Sequence, residues 1–552
     1  MRHLPLKPLL IVLLAVLSFS AGHYLSELEK IREAMPYAER LAGLSFTEAE
    51  RDSAAEGVLT TLQGIKQMRQ YDLPNATAPA LHFSPLPPNF VPKPGTSTTH
   101  WNLPTDVQRP SDASELAFMT LPELAALLRS RQLTSVELTR LYLERLKRYG
   151  DTLACVITLT EERAMASARR ADAELDAGIY RGVLHGIPYG AKDLLAVQGY
   201  PTTWGAMPYR EQQFEYDATV IQKLDQAGAV LIAKLTLGAL AWGDVWFDGT
   251  TRNPWNLRQG SSGSSAGSAA ATAAGLVGFA IGTETWGSIV SPATRCGVSG
   301  LRPTFGRVSR HGAMALSWSM DKIGPMCRSA VGCAMVFDAI RGADGIDLAV
   351  QDFPFGFDAR QQEVSTLKVG YLSALFDAEA DKDVLETLRK MGVEPEPVAL
   401  PDALPVGEIS FILTVEAAAA FDELTRSNRD SLLVRQIKNA WPNVFREGRY
   451  VPAVEYVQAN RHRSRLIAET HRQFSNYDVI ISPSFGGNQL LLTNLTGHPC
   501  VVVPNGFNEA GTPTSISFLG NLFDEESPLR LAAAYQRATS FAEKHPPFFM
   551  RK

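Results

Sequence analysis

Apolar residues recur at helical spacing from about residue 116. Leu121, Leu124, Leu127 and Leu128 follow Thr120, which has Glu123 three residues on. A second run opens at Thr134-Ser-Val-Glu137 and carries Leu138, Leu141, Leu143 and Leu146. In both, a Thr with a Glu three residues later reads as a capping box at a helix start. Residues 161–178 predict a third helix, charged and Ala-rich. The period then changes. Gly186-Ile-Pro-Tyr-Gly-Ala-Lys-Asp193 predicts a short strand and turn. Residues 229–233, 277–282, 479–482 and 500–504 are short apolar runs of the core-strand type, and 529–543 predict a closing helix. Strands alternating with helices point to an α/β body.

The first hundred residues differ. Residues 24–73 read as largely helical, with Ser45-Phe-Thr-Glu48 resembling a capping box. Residues 74–110 are rich in Pro, Thr and Ser, with Pro85, Pro87, Pro88, Pro92 and Pro94 close together, and read as an extended strap. A helical extension and strap over 23–110 therefore precede a main body over 111–552. Ahead of both, Arg2 and Lys7 are followed by an apolar run over 9–19 and by the small residues Ser18, Ser20, Ala21 and Gly22. That order reads as a signal peptide over 1–22 and implies an exported, periplasmic or extracellular protein. The alternative is an uncleaved membrane anchor reaching Leu25. Membrane contact is expected only in that case.

The chain has 552 residues, more than one hydrophobic core usually holds. Its net charge is −5, and no long Lys/Arg run is present, so nucleic-acid binding is not expected. The cysteines are Cys155, Cys296, Cys327, Cys333 and Cys500. An odd number leaves at least one thiol without an intramolecular partner. Cys327 and Cys333 are close enough in sequence to pair, though spacing alone does not show that they do. No CxxC and no zinc-type His/Cys spacing occurs, so no metal is expected.

The most unusual stretch is Gly260-Ser-Ser-Gly-Ser-Ser-Ala-Gly-Ser268. A flexible linker would have this composition. Here it lies between Asn253-Pro-Trp-Asn256 and an Ala-rich helix over 269–274, which favours an ordered loop. It lacks the G-K-[ST] ending of a P-loop. It contains a GxSxG match centred on Ser265, but residues 256–264 are poor material for the strand that a nucleophile elbow needs. Next, Thr283-Glu-Thr-Trp-Gly-Ser-Ile289 follows the 277–282 run as a tight turn. A Ser at the end of such a turn, Ser288, is placed as a nucleophile, and consecutive backbone N–H groups can face an oxyanion.

Together these pieces resemble the amidase signature family. The resemblance rests on Gly186-Ile-Pro through Lys192-Asp193, Asn253-Pro-Trp-Asn256, Gly263-Ser-Ser-Ala-Gly-Ser268, Gly287-Ser-Ile289, Cys296-Gly-Val-Ser-Gly-Leu-Arg-Pro-Thr304 and Gly497-His-Pro-Cys-Val-Val-Val-Pro504, in the family's order. It spans roughly residues 116–543. It implies an α/β fold with a large mixed sheet flanked by helices. It also implies a catalytic triad of Lys192, Ser264 in a cis peptide, and nucleophilic Ser288. The oxyanion would be held by backbone amides over Thr285, Trp286, Gly287 and Ser288. The chemistry suits these residue types. Ser288 needs a base, Ser264 can relay a proton, and Lys192 can accept one if burial keeps it neutral. The implied activity is hydrolysis of an amide C–N bond without metal or cofactor.

Two residues depart from the family pattern. Trp286 stands where Gly is usual, so a large ring either narrows the site or packs inward. Val290 stands where Arg is frequent, so Glu284 is expected to lack that partner. His185 and His498 lie in motif loops and read as structural. A Ser-His-Asp set has no comparable support. The competing readings are a glutaminase subunit of an amidotransferase and a non-catalytic binding protein that keeps the fold. The partner expected is a small-molecule or peptide amide, and a homodimer is one arrangement open to the chain.

Overall fold

The computed structural model describes residues 6–550 apart from 94, 96, 362 and 402–405. The chain forms two compact units. The smaller ends at Thr77 and includes Arg449–Glu455. Its two long helices are Leu6–Ala42 and Glu48–Met68. Leu28, Ala55 and Leu59 form its buried core, with Ile31 and Met35 against them. Thr47 caps the second helix: its hydroxyl accepts from the Glu50 amide, and the Glu50 carboxylate accepts from the Thr47 amide at 2.7 Å. This box lies two residues later than Ser45–Glu48, because Glu48 is already the first helical residue and cannot reach back three positions. None of the described helices is long and apolar enough to cross a membrane.

The larger unit comprises Ala78–Gly448 and Tyr456–Lys552. The Pro-rich segment after residue 78 is held by specific contacts within it. Phe83 meets Phe305 edge-on at 4.9 Å, and the Arg463 guanidinium lies 3.6 Å from the Phe83 ring centre. Lys93 Nζ reaches Asp524 Oδ2 at 3.0 Å.

An eleven-stranded mixed sheet forms the centre of this unit. In chain order its strands are β1 (Val156–Leu159), β2 (Pro188–Lys192), β3 (Val230–Leu235), β4 (Phe279–Glu284), β5 (Ser299–Arg302), β6 (Lys322–Cys327), β7 (Val369–Leu372), β8 (Glu396–Val398), β9 (Val479–Pro483), β10 (Cys500–Phe507) and β11 (Pro513–Gly520). Across the sheet they run β8-β7-β9-β11-β10-β5-β6-β4-β2-β3-β1. β2 is parallel to β3 and β4, while β6 is antiparallel to β4 and β5. Every residue of β2, β3, β4 and β6 is buried, as expected when helices cover both faces. The helices Leu121–Arg129 and Ser135–Leu153 begin at the capping boxes of Thr120 and Thr134.

Two local features differ from the sequence reading. Residues 256–260, judged poor strand material, form a short strand antiparallel to Arg252–Asn253. A hairpin supplies its own backbone partners and needs no apolar face. β4 begins at Phe279 rather than 277, because Gly275 at φ 64° turns the chain after helix Ala266–Ala273.

Candidate active site

β2 ends at Lys192, and the neighbouring β4 leads into the turn that holds Ser288. Lys192 is fully buried. Its Nζ donates to Ser264 Oγ at 2.8 Å, to Thr283 Oγ1 at 2.8 Å and to Ser265 Oγ at 3.1 Å. All its side-chain partners are hydroxyls. Burial pushes its pKa down from 10.5 to about 7, while Asp321 and Glu284 oppose the shift. Its neutral amine is therefore populated near neutral pH.

Ser264 is 1% exposed and follows a cis bond from Gly263. A side chain at Gly263 would meet the Gly243 carbonyl oxygen at 1.9 Å, so close backbone packing requires glycine there. The Ser265 amide donates to the Ser288 carbonyl at 3.1 Å, which ties the residue beside Ser264 to the turn that holds Ser288. Ser265 Oγ also donates to the Thr283 carbonyl and accepts from the Thr283 amide, each at 3.0 Å. The central Ser of the GxSxG match thus joins loop to strand.

The turn has a defined backing. Gly287 takes φ 84°. Glu284 accepts from the Ile289 amide at 2.8 Å, the Val290 amide at 3.0 Å, Arg302 Nη1 at 2.8 Å and Asn494 Nδ2 at 2.8 Å. Burial alone would raise its pKa, but Arg302 and these donors hold it down at about 2. The expected loss of support at Val290 is therefore corrected. Arg302 on β5 supplies the cation, reaching Glu284 on β4 past the intervening β6. Thr285 Oγ1 donates to Asp321 Oδ1 at 2.5 Å, and the other oxygen of Asp321 accepts from the Leu316 and Ser317 amides. Among the described residues, the amides of Trp286, Gly287 and Ser288 find no protein acceptor. Ser288 is 8% exposed, and Trp286 is 46% exposed, so the indole faces outward rather than into the core.

The family model for Amidase matches residues 137–492. A glutamyl-tRNA(Gln) amidotransferase subunit of Roseiflexus sp. is 35% identical over 486 residues, covering 78% of this chain and 98% of that protein. A putative amidase, AmiD, of Mycobacterium tuberculosis is 34% identical over 469 residues, covering 79% of this chain and 97% of its own.

The chain belongs to the amidase signature family.

It is an amide-hydrolysing enzyme. The native peptide amidase of Stenotrophomonas maltophilia shares the fold, with TM-score 0.70 and 28% identity over 77% of this chain and 98% of that one. In this amidase the sequence reading names Lys192, Ser264 and Ser288, and the structure brings the first two into hydrogen-bond contact. Thr283, Asp321, Arg302 and Asn494 were not singled out. Thr283 had one signal: it ends the apolar run just ahead of the turn. His185 and His498, read as structural, each have a local partner. His185 Nε2 lies 3.0 Å from Glu174 Oε2, and His498 Nδ1 pairs with Thr496 Oγ1 at 2.7 Å. All five cysteines are buried and unpaired.

Proposed function

We propose that Ser288 Oγ attacks the substrate's amide carbonyl carbon. Its proton passes to Ser264 Oγ, whose own proton passes to neutral Lys192 Nζ. The amides of Trp286, Gly287 and Ser288, with Thr285 held by Asp321, face the carbonyl oxygen as it gains charge. The C–N bond then breaks, and the leaving amine takes the proton back through Ser264. Water, deprotonated along the same route, cleaves the acyl ester and releases the acid. The observation that carries this reading is a buried amine surrounded by hydroxyls, one of them Ser264, with its pKa near 7. The test is amine or ammonia release from a mixed amide panel by wild type, Ser288→Ala and Lys192→Ala. Equal cleavage by wild type and Ser288→Ala would reject the assignment.

A second reading has one observation in its favour, the 35% identity to a component of an amidotransferase. Under it, native purification brings down partner chains and free glutamine is the preferred substrate. A lone chain that cleaves other amides favours the first reading. We also propose export. The support is the order of Arg2, Lys7, the apolar run and the small residues up to Gly22. N-terminal sequencing of the mature protein checks it: a start near residue 23 is expected, and an intact Met1 in a soluble cytoplasmic fraction would reject it.

A further inference from the structure

A cleft of about 460 Å³ begins one helical turn from Ser288. Ser291 lines it, and the Ser291 amide donates to the Gly287 carbonyl at 2.8 Å, so this wall stands about 5 Å along the chain from the nucleophile. Ser291 Oγ also pairs with Ser262 Oγ at 2.6 Å, two residues before Ser264. Ser288 and Ser264 do not themselves line the cleft; Ser291 links its wall to the segments that carry them. Its floor is hydroxyl-rich and mostly satisfies itself: Thr294 pairs with Ser515 at 2.6 Å, and Ser515 with Ser484 at 2.7 Å. Phe485, 56% exposed, forms an apolar edge.

Asp381 is the exception. It lies in the first turn of helix Glu379–Lys390, half-buried, and lines this cleft. Its one partner among the described residues is neutral: Asn505 Nδ2 donates to Oδ1 at 3.1 Å. Arg295 lines the same cleft but turns to Gln259 Oε1 at 3.4 Å. No Lys or Arg among the described residues pairs with Asp381. Asn505 Oδ1, buried, has no donor either, and Thr514 Oγ1 in the cleft wall has no partner among them. What Asp381 itself lacks is a cationic donor. An ammonium ion supplies three donors and a positive charge.

We propose that this cleft seats a cationic group of the substrate, an ammonium on Asp381, so that the enzyme prefers amides carrying a primary or secondary amine near the scissile bond. The inference rests on Ser288 being the nucleophile. Burial pushes the Asp381 pKa up, a cost that a bound cation would reverse.

Two fluorophosphonate probes of equal length test it, one ending in a primary ammonium and one in a methyl group. The readout is the rate of Ser288 labelling. Wild type should label about tenfold faster with the ammonium probe, the ratio of a modest charge-assisted contact. In Asp381→Asn, which can still bond Asn505, the ratio should fall to about one. Equal rates in wild type, or a preference that survives Asp381→Asn, would overturn this inference and leave the Ser288 reading standing. No labelling by either probe would remove the Ser288 reading and this inference with it.

Discussion

Two buried lysines stand on neighbouring parallel strands, and their surroundings are opposite. Lys192 ends β2, and Lys234 sits on β3 opposite Ala191. Both are fully buried. Lys234 Nζ lies 2.7 Å from Asp193 Oδ1 and donates to the Pro201 carbonyl at 2.8 Å. Asp193 in turn holds the Thr203 amide at 2.8 Å. Burial pushes the Lys234 pKa down, and the adjacent carboxylate pushes back. Lys192 has no carboxylate against it, only three hydroxyls and, at 3.4 Å, the Thr283 carbonyl. Burial alone therefore does not decide which lysine is neutral. Burial without a counter-ion keeps an amine neutral, because nothing then compensates the desolvated charge.

The largest expected effects test that contrast directly. Lys192→Ala should lower kcat/KM by roughly 10³-fold, the usual worth of a positioned general base. Lys234→Met should act on stability instead. It leaves Asp193 charged and unpaired in the interior, which costs roughly 3 to 5 kcal/mol. Urea denaturation reads the second effect and steady-state kinetics the first. The contrast breaks if folded Lys234→Met loses activity as completely as Lys192→Ala does.

The pH profile sharpens it. With the Lys192 pKa at about 7, the active form under the proposed mechanism is the deprotonated one. Activity should fall about tenfold per pH unit below that value and level off above it. A flat profile from about pH 5 to 8 would mean that Lys192 does not gate the reaction.

Stability should also rise with pH, but over a higher range. The Lys192 pKa is lower in the folded chain than in the unfolded one, so the unfolded chain binds more protons between the two values. The folded state thus carries a penalty that is full below about pH 7 and fades as pH rises toward 10.5. Lys192→Met removes it. After allowance for lost hydrogen bonds, a gain of about 2 kcal/mol is expected at about pH 6, shrinking toward about pH 10. A destabilised Lys192→Met at the lower pH would show that the lysine is better accommodated than its partners suggest.

What the sequence disclosed about these sites depended on distance along the chain. The helix starts at Thr120 and Thr134 were legible because a capping box is complete within four residues. So were β9 and β10, as runs such as Val501-Val-Val503 that only a covered sheet accommodates. Lys192 reads by itself as a surface lysine. The role proposed for it emerged only from the joint family pattern, since its bond to Ser264 spans 72 residues. Thr283 is 91 residues from Lys192 and carries no local mark of that contact. Arg302 was hidden for a topological reason. Its partner Glu284 lies two strands away, across a β6 that follows both in sequence. The support expected to be lost at Val290 had moved to another strand, which no one-dimensional spacing reveals.

Thr283 offers the finest discrimination between a hydroxyl-held and a carboxylate-held lysine. Its Oγ1 accepts from Lys192 Nζ at 2.8 Å. A hydroxyl oxygen stabilises an ammonium more than a neutral amine, so this bond opposes the effect of burial. Thr283→Val keeps the shape and removes the acceptor. If the bond is worth about 1 kcal/mol, the Lys192 pKa should fall by roughly half to one unit. The acid limb of the pH profile should then move to lower pH by that amount, while the plateau drops only modestly. An upward shift would mean that Thr283 acts as a donor to the neutral amine. No shift at all would mean that the remaining acceptors, the Ser264 and Ser265 hydroxyls and the residue 283 carbonyl, set the balance.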